Sequence, residues 1–207
     1  MILYHMSQTL KCGDIFVPDF QETESLCEPF IQALEYSEDC FYGMLLNGKY
    51  FCAVLCKFHL REWSDYAKWA TEGLFEFVRK NEYPDCYSRL NSFFFYDDLD
   101  YSRKLFWYDW GSESDEERSK VHLFEVEVDD AIPQRRDMSL FDKAYNALSE
   151  KQDTASAFNC ARQYFSGKQS DEPVWEIISN KRAIVRRDIS DKLSNSTYKV
   201  VGGSLDC

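Results

Sequence analysis

Hydrophobic residues recur at the three- and four-residue spacing of a helix in some segments of this chain and at the two-residue spacing of a strand in others. Between residues 60 and 78, apolar side chains recur at steps of three and four, which predicts an amphipathic helix. Within residues 121–128, Phe124, Val126 and Val128 are separated by single acidic residues, and this alternation predicts a half-buried strand. Helical steps return at residues 140–148 and 155–165, and Gly167 is positioned to end the second of these helices in a left-handed conformation.

Shorter apolar runs between turn residues predict the other strands. These are residues 2–6, 15–17, 91–96, 173–178, 183–189 and 197–201. Asp98 and its acidic neighbours follow the third of these runs and can cap a helix that extends to about residue 109. Together the elements predict an α+β fold. We expect a single domain over residues 1–207, with a mostly antiparallel, split β-sheet, flanking helices and a helical insertion at about residues 55–82.

The overall charge and the aromatic content indicate which classes of ligand the protein favours. The formal charge is -12 and the pI is about 4.7, so the average surface repels the phosphates of nucleic acids, although a local basic cleft is compatible with that charge. Aromatic residues make up 16% of the chain. Most of them are expected to pack in the core, but rings beside polar residues also hold flat heterocyclic ligands.

Eight cysteines are spread along the chain without a Cys-x-x-Cys pair and without a secretory signal. We therefore expect reduced thiols and a cytoplasmic location, and no membrane span, because no apolar run reaches the ~18 residues that a span needs. Cys52, Cys56 and His59 follow helical spacing and could present three metal ligands on one helix face. No fourth ligand follows at a suitable distance, so core packing is the favoured interpretation and no metal site is predicted.

Glu176 interrupts the apolar run of residues 173–178 with a single carboxylate. A charge that leaves water without a partner costs too much free energy to be kept. Glu176 is therefore expected either on a solvated strand face or in a site where its charge takes part in chemistry.

Three segments, in this order, resemble the motifs of the ADP-ribosyltransferase-fold family and especially of its bacterial, toxin-like members. Residues 3–14, LYHMSQTLKCGD, resemble the first motif, in which a Tyr-His strand is followed by a Leu-Lys-x-Gly-Asp turn. Residues 88–95, SRLNSFFF, resemble the second motif, and residues 175–178, WEII, resemble the strand that carries the family's glutamate. The resemblance implies a transferase that moves ADP-ribose from NAD, its co-substrate, to an acceptor.

The resemblance also implies roles for individual residues. Glu176 would stabilise the oxocarbenium-like centre that forms when the bond between nicotinamide and ribose breaks. Arg89 would clamp the pyrophosphate or brace Glu176. His5, with Tyr4 and Ser7 beside it, would bind a ribose hydroxyl. Without the resemblance, His5 is interpreted as a core histidine at a strand end and Arg89 as a partner in a surface ion pair.

The aromatic residues after the second motif are where the sequence departs from the family pattern. In the best-known members, a tyrosine of this strand stacks on nicotinamide and another follows on the helix. Here the candidates are Phe94, Phe95, Tyr96 and Tyr101, any of which offers the ring face that stacking requires. Met6 replaces the usual glycine after the first-motif histidine and would crowd the nicotinamide pocket, so a catalytically inactive relative is an alternative.

Three functions therefore follow as alternatives. The first is an ADP-ribosyltransferase acting on a protein or nucleic acid, the second an NAD glycohydrolase that gives the ribosyl group to water, and the third a non-catalytic protein-binding module of the same fold. The acidic charge favours a protein or small-molecule acceptor. Five basic residues could instead supply local positive potential for phosphates, or simply form a solvated strand face: Lys168, Lys181, Arg182, Arg186 and Arg187. The likeness to toxins implies antiphage defence or competition, and a neutralising antitoxin partner.

Overall fold

The computed structural model describes residues 1–17, 21–50 and 63–194. Helices and antiparallel strands make up most of these residues, so the predicted α+β class, with antiparallel sheets and flanking helices, is confirmed. The residues group into two compact units. The first comprises the described residues of 1–17, 94–133 and 181–194, and the second those of 18–93 and 134–180.

The elements are numbered here in chain order. The strands are β1 (Ile2–Ser7), β2 (Ile15–Phe16), β3 (Phe93–Phe95), β4 (His122–Val128), β5 (Gln134–Asp137), β6 (Trp175–Ser179) and β7 (Ala183–Asp188). The helices are α1 (Gln21–Tyr36), α2 (Glu38–Tyr50), α3 (Trp63–Glu82), α4 (Leu99–Trp110), α5 (Asp115–Arg118), α6 (Met138–Asn146) and α7 (Thr154–Ser166). Short 3-10 segments cover Arg89–Asn91 and Ser190–Ser194, and a π turn covers Ala147–Lys151.

The first unit contains a four-stranded sheet in the order β1-β4-β7-β2, with antiparallel neighbours throughout. His5 of β1 lies opposite Phe124 of β4. The turn between β1 and β2 passes through Gly13, whose φ of 91° suits glycine because a Cβ would crowd the backbone there. The N–H of Gly13 donates to the carbonyl of Val185 and so ties this turn to β7.

One face of this sheet packs on α4. Leu123 of β4 and Phe106 of α4 belong to the same hydrophobic cluster, which also includes Ile189 and Leu193 from the end of the described chain. The carboxylate of Asp98 accepts the N–H of Tyr101 at 2.7 Å and caps α4, as the sequence predicts. The alternation from Phe124 to Val128 is also confirmed, because the three apolar side chains are buried and the two glutamates between them are not.

The second unit is built around α3. Tyr66, Leu74 and Phe75 of this helix are fully buried against side chains of α1, α6 and α7. The predicted amphipathic helix is therefore confirmed, although it continues to Glu82, four residues beyond the end that apolar spacing indicates. Gly167 has a φ of 75° and ends α7 in the left-handed conformation that was predicted.

In the second unit, β5 and β6 are antiparallel neighbours, and their register aligns Arg136 with Glu176 and Asp137 with Trp175. β5 contains no apolar residue, so hydrophobic spacing does not predict it, and it forms because β6 supplies a pairing partner. The buried carboxylate of Asp137 accepts three backbone N–H groups, those of Ser139, Ser170 and Val174. These bonds connect the start of α6 to the segment that leads into β6.

Some sequence predictions fall outside the described residues. These are the strand at residues 197–201, the start of the helix at residues 60–62, and the trio of Cys52, Cys56 and His59. The insertion predicted at about residues 55–82 is described only over α3. The hydrophobic spacing makes no prediction for residues 21–50, where the structure has α1 and α2.

Candidate functional site

Glu176 is the second residue of β6, and its side chain is buried. Only 2% of its surface is exposed, and Ile177 and Ile178 beside it are buried as well. The expectation of a solvated strand face is therefore wrong for this residue. A buried carboxylate needs partners that replace its hydration shell, and the second unit supplies them.

Arg89, in the 3-10 segment before β3, supplies the positive charge. It is 8% exposed, so the interpretation as a surface ion pair is wrong. Its Nη1 donates to Oε1 of Glu176 at 2.5 Å. Its Nε and Nη2 donate to the two carboxylate oxygens of Glu72 at 3.1 and 3.2 Å. One guanidinium thus joins the carboxylates of α3 and β6.

Aromatic rings surround this guanidinium. Its central carbon lies 4.2 Å from the ring centre of Phe141, 5.2 Å from that of Tyr164 and 6.0 Å from that of Phe75. The faces of such rings attract cations while they exclude water. The rings therefore allow Arg89 to remain charged without its hydration shell.

Tyr164 of α7 completes the network. Its hydroxyl accepts a hydrogen bond from Nη1 of Arg89 at 2.8 Å and donates one to Oε1 of Glu176 at 2.7 Å. Both bonds to Glu176 therefore fall on Oε1. Within the described part of the chain, Oε2 of Glu176 has no hydrogen-bond partner, so this carboxylate is anchored through one oxygen and retains acceptor capacity on the other.

The charges of this network are set by burial and by proximity. Burial lowers the pKa of Arg89, but Glu176 and Glu72 raise it by more, and the pKa lies well above its ordinary value. Burial raises the pKa of Tyr164 well above its ordinary value, so the phenol stays protonated and can donate to Glu176. One guanidinium is therefore shared between two carboxylate groups, those of Glu72 and Glu176.

In the first unit, His5 is half-buried on β1. Its Nδ1 lies 2.9 Å from the carbonyl oxygen of Phe94, and because a carbonyl can only accept, Nδ1 carries the proton. Burial lowers the pKa of His5, and the bond to Phe94 opposes this only in part. The imidazole is therefore neutral at pH 7, and its Nε2, which has no hydrogen bond to any described residue, is an acceptor.

Two phenylalanines lie against His5. The ring centres of His5 and Phe16 are 6.1 Å apart, those of His5 and Phe95 are 5.8 Å apart, and the two phenylalanine rings are 6.2 Å apart. Phe95 is fully buried. It therefore packs against the imidazole and offers no exposed ring face to a ligand.

The alternation of side chains along β1 separates the predicted cofactor-binding residues. Ser7 lies on the same strand face as His5, and its Oγ accepts the N–H groups of Thr9 and Leu10 at 3.1 and 3.3 Å, while its hydroxyl hydrogen can still donate. Tyr4 lies on the opposite face and packs against the hydrophobic cluster of the first unit. The structure thus brings His5 and Ser7 together and directs Tyr4 away from them.

The remaining aromatic candidates lie at and after β3. Phe94 is half-buried and contributes its carbonyl to His5. Tyr96 exchanges two backbone hydrogen bonds with Tyr4, of 2.8 and 2.9 Å. Its ring meets that of Tyr101 edge to face, with 6.5 Å between the ring centres. Tyr96 and Tyr101 therefore form one half-buried aromatic pair within the first unit.

Sequence reasoning missed two members of the buried network, Glu72 and Tyr164. A usable signal exists for Glu72, because it stands between Ala70 and Leu74 in the apolar stripe of α3, as Glu176 stands in its apolar strand. Tyr164 carries no such signal, since a tyrosine in an amphipathic helix is ordinary core material.

The basic surface that the sequence suggested near the glutamate strand is partly neutralised. Arg186 forms an ion pair with Glu127, and Arg187 with Glu125, across the β4–β7 pair. Because each guanidinium faces a carboxylate of the neighbouring strand, these two arginines add little positive potential for a phosphate.

The described residues contain no group of three His, Cys, Asp or Glu side chains that could hold a metal ion. No helix within residues 1–17, 21–50 and 63–194 is long and apolar enough to cross a membrane. The thiols of Cys12, Cys27, Cys40, Cys86 and Cys160 are free.

A family model described as "Protein of unknown function (DUF2441)" matches residues 3–191, which include all the candidate residues named above. No curated protein matches the chain.

Proposed function

We propose that this chain, which belongs to the family described as "Protein of unknown function (DUF2441)", is an NAD-dependent ADP-ribosyltransferase. The observation that carries this proposal is the state of Glu176, a buried carboxylate that Arg89 and Tyr164 anchor through one oxygen while the other has no hydrogen bond in the described part of the chain. A carboxylate held in this way is pre-organised, because its geometry is set before any substrate binds. The proposed acceptor is a protein or a nucleic acid.

In the proposed reaction, Glu176 acts on the bond between nicotinamide and ribose. Cleavage of that bond develops positive charge on the ribose, and a nearby carboxylate stabilises this charge. Arg89 is shared between Glu72 and Glu176, which supports the role, since a carboxylate with a cation of its own would offer less stabilisation. Arg89 then braces Glu176, which is one of the two roles that the resemblance implies.

His5 supports the same function through a different observation. Its imidazole is neutral, and its Nε2, which has no hydrogen bond to a described residue, can accept a hydrogen bond from a ribose hydroxyl of NAD. Ser7 on the same strand face adds a hydroxyl donor. The half-buried rings of Tyr96 and Tyr101 are the proposed aromatic contacts for nicotinamide.

The test is a nicotinamide-release assay with Glu176→Gln. Glutamine keeps the shape of the side chain and an oxygen that can accept from Arg89 and Tyr164, but it removes the charge. We expect the rate to fall by about 10²–10³ with an unchanged circular dichroism spectrum. Glu82→Gln is the matched control, because Glu82 also pairs with an arginine but is 37% exposed, and we expect no change in rate. Wild-type protein that releases no nicotinamide from NAD would refute the function.

The non-catalytic module is the second candidate. It is favoured by the burial of Glu176 and by its ion pair with Arg89, both of which are also expected of a purely structural carboxylate. Calorimetric titration with NAD separates the two candidates, because the module would give no heat of binding. If NAD is consumed and free ADP-ribose is the sole product, the glycohydrolase alternative is correct instead.

The toxin-like resemblance extends the proposed function to defence against phage, with a neutralising antitoxin as partner. Induced expression in a bacterial host tests this extension. We expect wild-type protein to arrest growth and Glu176→Gln protein to leave it unchanged.

A further inference from the structure

A second imidazole lies on the same sheet face as His5. In the β1–β4 pair, His5 is opposite Phe124 and Ser7 is opposite His122. Directly opposite residues of antiparallel strands share a face, and residues at diagonal positions are about 7–8 Å apart. The side chains of His5, Ser7 and His122 therefore occupy neighbouring positions on one face of the first unit.

His122 is held by a carboxylate and by a ring. Its Nδ1 lies 2.8 Å from Oδ2 of Asp188 and 3.4 Å from Oγ of Ser190. The N–H and the hydroxyl of Ser190 in turn donate to Oδ1 of Asp188 at 2.9 and 2.5 Å. The imidazole also stacks on Phe124, with ring centres 5.9 Å apart and an interplanar angle of 23°. The hydrogen bonds restrain the rotation of the imidazole, and the stacking on Phe124 restrains the tilt of its ring plane.

The hydrogen bonds of Asp188 define which nitrogen of His122 is available. Burial raises the pKa of Asp188, but its bonds to Ser190 and His122 lower it by more, so the carboxylate is ionised at neutral pH. An ionised carboxylate can only accept, and Nδ1 of His122 is therefore the donor. In the neutral imidazole Nε2 then carries a lone pair. It has no hydrogen bond to a described residue, and 42% of the side chain is exposed.

From this geometry we propose that Nε2 of His122 is the general base that deprotonates the acceptor of the ADP-ribosyl group, and that the acceptor is a hydroxyl. A carboxylate that fixes one ring nitrogen and leaves the other as a base is the arrangement by which a histidine activates an O–H group. An acceptor carboxylate has no proton to lose at neutral pH and would not need such a base. This inference rests on the proposed transferase function and names the acceptor class for it.

Transfer to the hydroxyl replaces one bond at C1′ of the ribose with another. The hydroxyl oxygen forms a bond to C1′ of the ribose, and the bond between C1′ and the pyridinium nitrogen breaks. The bonding electron pair leaves with nicotinamide, which becomes neutral. The hydroxyl proton passes to Nε2 of His122 and then to solvent.

The experiment compares two nucleophiles that differ in whether they carry a proton. Wild-type protein and His122→Gln are incubated with NAD in water containing methanol, and separately with azide, an anion that has no proton to lose. Hydrolysis and methanolysis need the base, whereas azidolysis does not. We expect His122→Gln to lose about 10²-fold or more in hydrolysis and methanolysis, and to form the azido product at a rate within about twofold of wild type.

Two further variants keep this test interpretable. Asp188→Asn removes the carboxylate that orients His122 and is expected to show the same selective loss, so the test does not depend on the folding of a single variant. Arg186→Gln breaks an exposed ion pair between the same two strands, β4 and β7, and is expected to match wild type with all nucleophiles.

The possible outcomes separate the two proposals. If wild-type protein consumes no NAD with any nucleophile, the transferase function fails and the role of His122 fails with it. In two cases wild-type protein is active but the role of His122 is refuted. In the first, His122→Gln reduces hydrolysis and azidolysis equally, and in the second it reduces neither. The transferase function then stands without His122 as its general base. Selective loss of the reactions with hydroxyl groups supports the proposed role.

Discussion

Nη1 of Arg89 lies 2.5 Å from Oε1 of Glu176, in an ion pair of which 8% and 2% of the respective side chains are exposed. The two residues are 87 positions apart in the chain. Arg89 also binds Glu72 in α3, so a single guanidinium links a helix, a strand and the turn before β3. This one buried cation therefore connects all three within the second unit.

Removal of Arg89 is expected to destabilise the protein strongly. Arg89→Met leaves the carboxylates of Glu72 and Glu176 buried without a cation, and breaking a buried pair in this way costs roughly 3–5 kcal/mol. Arg162→Met breaks an exposed pair with Glu82 and should cost at most about 1 kcal/mol. The measurement is the free energy of unfolding in urea. Equal losses in the two variants would contradict the structural role given to Arg89.

A second large effect is expected at Asp137. Asp137→Ala removes the acceptor of three N–H groups, and each donor left unsatisfied in a buried position costs about 1–3 kcal/mol. We expect a loss of at least ~3 kcal/mol in the free energy of unfolding. Asp153→Ala, which removes the cap of α7, is the comparison and should cost about 1 kcal/mol. A loss at Asp137 no larger than at Asp153 would show that the three bonds contribute little.

Two glycines in helices should respond to alanine in opposite directions. A Cβ on Gly73 would lie 2.8 Å from Cβ of Phe30 and 3.3 Å from the carbonyl oxygen of Cys27, so Gly73→Ala forces α1 away from α3 at a cost of roughly 1–3 kcal/mol. A Cβ on Gly43 would meet nothing within 4 Å. Because alanine favours helix, Gly43→Ala should stabilise the protein by up to about 1 kcal/mol. The measurement is the thermal unfolding of both variants. A Gly43→Ala protein that is less stable than wild type would contradict the open space found beside Gly43 in α2.

The lowered pKa of His5 predicts a dependence of stability on pH. Since the folded protein binds the proton of His5 less readily than the unfolded chain, the unfolded state is favoured as the pH falls below the ordinary histidine pKa of ~6.5. The contribution of His5 to stability is fully present above that pH and decreases as the pH falls toward the lowered pKa of the folded state. His5→Asn should abolish this part of the dependence.

The measurement for His5 is the free energy of unfolding of wild-type and His5→Asn protein between about pH 8 and pH 5. All other titratable groups are present in both proteins, so the difference between the two curves reports His5. Parallel curves would show that the pKa of His5 is not lowered in the folded protein.

The elements that were predicted correctly are those whose signal is local. The three- and four-residue spacing of α3, the two-residue alternation of β4, the cap at Asp98 and the left-handed Gly167 each depend on residues within a few positions. Such features reflect backbone geometry and the burial of one face, which a short segment specifies by itself. β5 has no such local signal. Gln134–Asp137 contains no apolar residue and becomes a strand only because β6 pairs with it, so hydrophobic spacing does not predict it.

The sequence by itself determined the α+β class and marked Glu176, Arg89 and His5 as unusual. Only the tertiary structure decided that Glu176 is buried, that Arg89 and Tyr164 hold it, and that a second imidazole, His122, lies beside Ser7. The physical reason is that a charge is stable in a core only when partners from distant parts of the chain replace its hydration shell. Packing and strand register bring those partners together, and the spacing of hydrophobic residues within one segment predicts neither of them.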